Sequence, residues 1–387
     1  MAAIMRRVCV LHERMYSQNG AAFLFPLHYH ARGLRERGVA LTFTTDAAVA
    51  GRDWDVLCVS SRFFMSWWSE RGTSSVTSFL GCIRSRVSRI IWFDITDSTG
   101  TAQFAVLPYV DRYCKGQVLR DRMRYRQQYI GARVFTDYYA RSFDVRETPD
   151  EEHLNLIPSI ADLEKVTASW HSGLAHYGLF GPQLHRFWYH AGGAVPRWYP
   201  HEWTSPGTPR SIFLSCRIGT HHHRRSVAHS RSELSKRLAW YLRTDKVSRR
   251  EFFSEMQRAR AVVSPFGLGE ITLRDFEAII CGAATLKQDM AHVETWPNLW
   301  IPEETYIPFA WDFSDLDERV ATVLHDPVRM VGVATRAQEA YRRALCSPEG
   351  HAEFCERFVN LATWQAPFVS STTGVREAAP SRASLHS

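Results

Sequence analysis

Residues 262–289, VVSPFGLGEITLRDFEAIICGAATLKQD, decide the fold class. Ala261, Val262 and Val263 predict a short buried strand, Gly267 and Gly269 mark a turn, a helix follows, and residues 283–286 begin a second strand. On the helix, Glu270, Arg274 and Glu277 recur at i, i+4 and i+7 as one polar stripe. Leu273, Phe276 and Ile280 form the neighbouring apolar stripe, which suits packing on a sheet. A helix that opens after glycine-flanked backbone offers free N–H groups and the positive end of its dipole, a natural seat for phosphate. An arginine and two carboxylates beside such a seat suit a ligand that carries both a diphosphate and hydroxyls. A nucleotide sugar has that chemistry.

The same alternation fills both halves of the chain. RRVCVLH, VALTFTT, WDVLCVSS and RIIWFDIT read as strands, with helices over residues 21–38 and 76–86, and ARVFTDYY reads as a further strand. After an acidic stretch at 147–162 and an aromatic, His- and Pro-rich stretch at 170–205, a second series begins with SIFLSCRI. It continues with helices at 226–242 and 248–260, the opening segment, and helices at 313–324, 332–346 and 351–363. Strands alternating with helices imply parallel sheets covered on both faces, here two Rossmann-like, doubly wound α/β domains. The expected division is 1–190 for the acceptor-side domain and 191–345 for the nucleotide-sugar domain. A C-terminal helix at 346–369 is expected to return to the first domain, and the small, polar residues 370–387 form a disordered tail.

At 387 residues the chain can bury two cores, and 45% hydrophobic with 22% charged residues is the balance of a soluble globular protein. No run approaches the roughly 18 apolar residues of a membrane span. The apolar stretch VCVL near the N-terminus is too short for a signal peptide and reads as the first core strand, which places the protein in the cytoplasm. Eight scattered cysteines without a CxxC pair fit buried thiols in a reducing compartment. A net charge of +7 welcomes anions: nucleotide diphosphates, or peripheral contact with an anionic membrane. Arginine is spread along the chain and no nucleic-acid-binding signature occurs, so nucleic acid is not expected as a partner.

The segment 264–316 resembles the donor-binding part of GT-B-fold glycosyltransferases, the group 1 and exostosin-like transferases. The pattern SPxGxGE…RDFEAxxCG is carried by Ser264, Pro265, Gly267, Gly269, Glu270, Arg274, Asp275, Phe276, Glu277, Ala278, Cys281 and Gly282. HxETWPN follows at His292, Glu294, Thr295, Trp296, Pro297 and Asn298, and then ETYxPF and WDFSDL. Gly269 stands where many members carry a first glutamate, and Glu277 matches the second. The resemblance implies two domains facing across a cleft and transfer of a sugar from a nucleoside diphosphate to a hydroxyl-bearing acceptor. The acceptor would be a glycan, a lipid-linked or a small molecule. It implies that Glu277 accepts hydrogen bonds from ribose hydroxyls and that Arg274 pairs with the diphosphate. Gly267, Gly269, Glu270, His292 and Glu294 would complete the donor site.

Arg217 and Lys287 end strands of the second domain and could add charge opposite the leaving diphosphate. In the first domain, His12 follows the first strand, and Asp94 and Asp97 follow RIIWF. A histidine or carboxylate at a strand's carboxyl edge suits a general base, so Asp94 and His12 join Arg274 as catalytic candidates. Lys115 and Gln117 belong to a stretch, VDRYCKGQ, shared with the same group. No metal is expected. Asp53 and Asp55 have DxD spacing but precede their strand, away from the ligand edge, and the run His221, His222, His223 lacks the i, i+4 geometry of an HExxH site. No cofactor beyond the donor substrate is expected. The alternative is a non-catalytic protein that binds a nucleotide sugar or glycan on a degenerate transferase fold.

Overall fold

The computed structural model describes residues 5–14, 17–147, 156–191 and 195–363. Its strands are β1 (Arg6–Leu11), β2 (Val39–Thr44), β3 (Val56–Ser60), β4 (Ile90–Asp94), β5 (Arg112–Lys115), β6 (Gln117–Leu119) and β7 (Val166–Ala168) in the first half. β8 (Ile212–Ser215), β9 (Ala259–Val263), β10 (Ala284–Gln288), β11 (Val293–Thr295) and β12 (Ile307–Phe309) follow in the second. The first sheet runs β2-β1-β3-β4-β5-β7 and the second β12-β10-β9-β8, every pair parallel. Two parallel α/β units facing across a cleft is the fold class expected from the alternation of strands and helices.

The period-2 geometry of a strand explains why these segments are apolar throughout. Val8, Val10, Val56, Cys58, Ile91 and Phe93 enter one core, while Cys9, Leu11, Leu57, Val59, Ile90 and Trp92 enter the core on the opposite face. Such double-sided burial is what helices on both faces of a parallel sheet require. The first of these cores does not stop at the domain boundary. It continues through Trp170, Phe276, Trp300 and Tyr341 into the second unit, with Phe276 stacked on His171 at 5.4 Å. The two units therefore share an apolar seam.

A short antiparallel ribbon also ties them: β6 of the first unit pairs with β11 of the second, with Val118 opposite Glu294. Three residues a side is too short to announce itself by periodicity. The helix Pro348–Thr363 returns to the first unit, where Phe354 stacks on His30 at 4.4 Å and the Ala362 carbonyl accepts from Arg89. The expected tail at 370–387 lies outside the described residues.

The strand expected at ARVFTDYY is a helix, Val134–Phe143. β-branched and aromatic residues favour strands, but Phe135 and Tyr139, at i and i+4, bury on one helical face, and the Tyr139 hydroxyl donates to the Trp311 carbonyl at 2.7 Å. Tertiary packing overrides propensity there. The helix expected over residues 21–38 is two helices, Gln18–Tyr29 and Ala31–Glu36.

Candidate functional site

In open parallel sheets, ligands sit beyond the carboxyl ends of the strands. Here a cleft of about 360 Å³ lies between the two such edges. The first unit contributes Asn19 and Phe23, residues 94–97 after β4, Gly116 and Gln117, and residues 169–172 after β7. The second contributes His222, Arg231, Leu268, Gly269 and the opening of the helix Leu273–Ile280.

The floor on the first side is set by Asp94. It faces Lys115 in register across β4 and β5, and the Lys115 ammonium lies 3.1 Å from Oδ2. The Tyr113 hydroxyl donates to the same oxygen at 2.5 Å, and the Thr96 amide donates to Oδ1 at 2.8 Å. Both side chains of the ion pair are fully buried. Asp94, a base candidate by position, is thus closed on both oxygens, and its work is to shape the following loop. That loop carries Asp97 into the cleft, where Asn19 Nδ2 donates to Oδ1 at 2.6 Å. Gln117 donates through Nε2 to the Asp97 carbonyl, and its own Oε1 is buried without a partner.

The glycine turn of the second unit does not stand free for phosphate; it closes the seam. A Cβ on Gly269 would lie 1.6 Å from the Asp97 carbonyl oxygen. Arg133 Nε donates to the Leu268 carbonyl at 2.8 Å. Glu270 is buried against the first unit, accepting from the Ser98 hydroxyl at 3.2 Å, from the Thr99 amide at 3.1 Å and from the Thr99 hydroxyl, while His292 Nε2 lies 3.3 Å from Oε1. Glu270 and His292, expected in the donor site, instead clamp the units together.

Burial alone would raise the Glu270 pKa, but the His292 imidazole and the Thr99 donors hold it down, to about 2 from the ordinary 4.5. A depressed folded-state pKa contributes stability that is complete above the unfolded value and is lost as pH falls through the folded one. The wild type is therefore expected to lose stability between pH 4.5 and 2 more steeply than Glu270→Gln, read from urea midpoints across that range. Parallel pH profiles for the two proteins would show that the clamp does not depend on this carboxylate.

The remaining charged candidates are mostly engaged. Arg217 holds Glu255 through Nη2 at 2.7 Å, and Lys287 is fully buried against Asp275 at 3.0 Å. Glu294 pairs with Arg122 at 3.0 Å. Glu277, expected on a ligand-facing stripe with Glu270 and Arg274, is buried and accepts from Arg249 Nη1 at 2.8 Å. The helix is short, and each member of that stripe meets a different neighbour. Glu277→Ala is expected to lower stability by about 1–3 kcal/mol in urea denaturation, because Arg249 keeps only the Leu179 and Gly178 carbonyls. Weakened nucleotide binding at unchanged stability would instead give this carboxylate to a ligand, as the resemblance implies.

Arg231 and Arg274 bond no carboxylate among the described residues. Arg231 lines the cleft, donates weakly to the Gly219 carbonyl at 3.4 Å and leaves Nε without a partner. Arg274 stands beside it, donating to the Arg217 carbonyl at 2.6 Å, again with Nε unpartnered. Burial and then the neighbouring Arg274 push the Arg231 pKa down, so an anion would relieve both. Gly267 lies beside this pair: a Cβ there would sit 3.5 Å from Arg231 Nη2, an ordinary contact. Sequence reading named Arg274 and passed over Arg231, which lies among Val227, Ser230 and Leu234 on a helix with no local motif.

His12 lies away from the cleft, with Nδ1 3.0 Å from the Glu13 carbonyl. Asp55 accepts from the Arg7 amide at 2.7 Å, at the amino end of the first sheet, as its place before the strand predicts. Among the described residues no group of three or more His, Cys, Asp or Glu side chains is arranged to hold a metal ion, and no helix is long and apolar enough to cross a membrane.

Neither a family model nor a curated protein sequence matches the chain. Solved structures similar to it include the HepE protein of Anabaena in complex with UDP-glucose, at 9% identity and a TM-score of 0.45 over 92% of this chain and 100% of that one. An alpha-glucosyltransferase in complex with UDP-glucose and DNA containing an abasic site is 10% identical, with a TM-score of 0.40 over 93% and 100% of the chains. The apo form of OtsA is 8% identical, with a TM-score of 0.43 over 94% and 100%.

Proposed function

We propose that the chain transfers a sugar from a nucleoside diphosphate held in the cleft to a hydroxyl-bearing acceptor. The observation that carries this reading is Arg231, which lines one wall without a carboxylate and has Arg274 beside it, opposite Asp97 on the other wall. The departing diphosphate gains charge as the glycosidic bond breaks. Arg231 would meet that charge, with Arg274 supporting it from behind and the dipole of the helix that opens at Leu273 adding to it. Asp97, oriented by Asn19, would accept the proton of the acceptor hydroxyl. The unpartnered Gln117 Oε1 would take a sugar hydroxyl. With Arg231 on the diphosphate and Arg274 behind it, the reading calls for no metal. Six buried free cysteines support a reducing, cytoplasmic setting.

Calorimetry with UDP and a panel of nucleotide sugars, followed by donor-hydrolysis and transfer assays in EDTA, tests the reading. At least one nucleotide is expected to bind, and turnover is expected to survive chelation. A folded protein that binds none of the panel would overturn the assignment. Activity lost in EDTA and restored by manganese would overturn only the metal-independent part. A non-catalytic nucleotide-sugar receptor is favoured by one feature: Asp94, Lys287, Glu270 and Glu277 are all closed in internal pairs. Tight nucleotide binding without hydrolysis or transfer would select it.

A further inference from the structure

The helix Gln18–Tyr29 separates two cavities. Asn19 and Phe23, one turn apart, face the cleft, whereas Ala21, Leu24, Phe25 and His28 face a second cavity of about 350 Å³ at the carboxyl edge of β1 and β2. That volume is within the range of small-molecule pockets. Its lining combines flat rings with cations and contains no carboxylate side chain. His28 stacks on Phe43 with ring centroids 3.7 Å apart, and Trp188 adds a third flat surface.

Arg197 lines this cavity, and no ion pair or hydrogen bond holds its guanidinium among the described residues. Burial pushes its pKa down to about 10. Burial also brings the pKa of His28 and His185 down to about 3, with Arg197 adding to the effect on both. These imidazoles are neutral rings at pH 7 and do not compete for an anion. His185 is 2% exposed, and its Nε2 accepts from the His176 amide at 3.2 Å. In a neutral ring the proton must then sit on Nδ1, which is buried without a partner. The cavity is therefore lined by a planar cationic fork beside stacked aromatic surface, with the unpartnered His185 N–H buried in its wall.

We infer that this cavity is a second binding site, distinct from the donor cleft, for a small flat-ringed molecule bearing a carboxylate. The carboxylate would take the Arg197 fork, a geometry that favours two parallel hydrogen bonds. The ring would lie against His28, Phe43 and Trp188. The inference does not depend on sugar transfer, since it needs only that the cavity be filled.

Titration with 2-naphthoate, 2-naphthyl phosphate and neutral 2-naphthol, read by calorimetry and tryptophan fluorescence, tests it. Naphthoate is expected to bind at least tenfold more tightly than naphthol and more tightly than the phosphate ester. Saturating UDP should not displace it. Arg197→Gln should erase the preference over naphthol, and Trp188→Phe should remove the fluorescence response. Equal affinity for naphthol, tighter binding of the phosphate, displacement by UDP, or a preference that survives in folded Arg197→Gln would each overturn the assignment. Should Arg197→Gln fail to fold, the wild-type affinity ratio and the UDP competition decide alone. Nucleotide binding to the cleft is measured separately, so failure of one site does not imply failure of the other.

Discussion

Arg231→Ala is expected to lower kcat by on the order of 100-fold, with a smaller change in donor affinity. The guanidinium lines the cleft, has no carboxylate, and sits beside a second cation, so in the resting protein it is under-compensated. A bound diphosphate relieves part of that, but the relief grows as charge moves onto the leaving oxygen, and only the growth accelerates the reaction. Arg231→Lys keeps the charge and loses the fork, and is therefore expected to stay well below wild type. Arg274→Ala should act in the same direction, because Arg274 is a neighbouring charge of Arg231, and the two donate to the Arg217 and Gly219 carbonyls of one stretch of backbone. The double variant should fall short of the product of the single effects, as for residues that act together. Steady-state kinetics with a hydrolysable donor give the answer. A rise in KM at constant kcat would make Arg231 a ground-state contact and move charge stabilisation to the helix terminus.

The second large effect is structural. Gly269→Ala is expected to destabilise the protein by about 3 kcal/mol or more and to abolish turnover, whereas Gly267→Ala should be close to neutral for folding. A Cβ at 269 would stand 1.6 Å from the Asp97 carbonyl oxygen, and backbone on both sides leaves no flexible tip to give way. At 267 the same methyl would meet Arg231 Nη2 at 3.5 Å and a Thr272 methyl at 3.6 Å, ordinary contact distances. Neither glycine needs a left-handed backbone, so close approach alone separates them. Relief at 269 requires the seam to open, which shifts Asp97 relative to the helix terminus and uncouples Glu270 from Thr99. Urea denaturation of the two variants measures the contrast. Equal stabilities would mean that the two units are not pressed together at this point.

The fold was legible in local pattern. Short apolar runs such as VCVL, DVLCVS and IIWF read as strands buried on both faces, and their alternation with helices leaves a parallel sheet as the economical solution. The same reading placed Asp53 and Asp55 at the wrong sheet edge, because position before or after a strand is itself a local property. What failed locally was ARVFTDYY, where strand-prone residues bury a helical face against Trp311.

At the site, local sequence picks out the segment that matters and the residue types it holds: the glycine turn, Arg274, and carboxylates on a short helix. What those groups are free to do is set by the long-range packing. Glu270 meets Thr99 across 171 positions of chain, and Glu277 meets Arg249 across 28. The ionisation and availability of a buried carboxylate depend on such partners far more than on its neighbours in sequence. Periodicity can show that a residue shares a face with another. It cannot show which distant element that face will meet, and here the meeting turns one motif carboxylate into a domain clamp and another into an internal ion pair, and leaves Arg231, which no motif marks, facing the cleft.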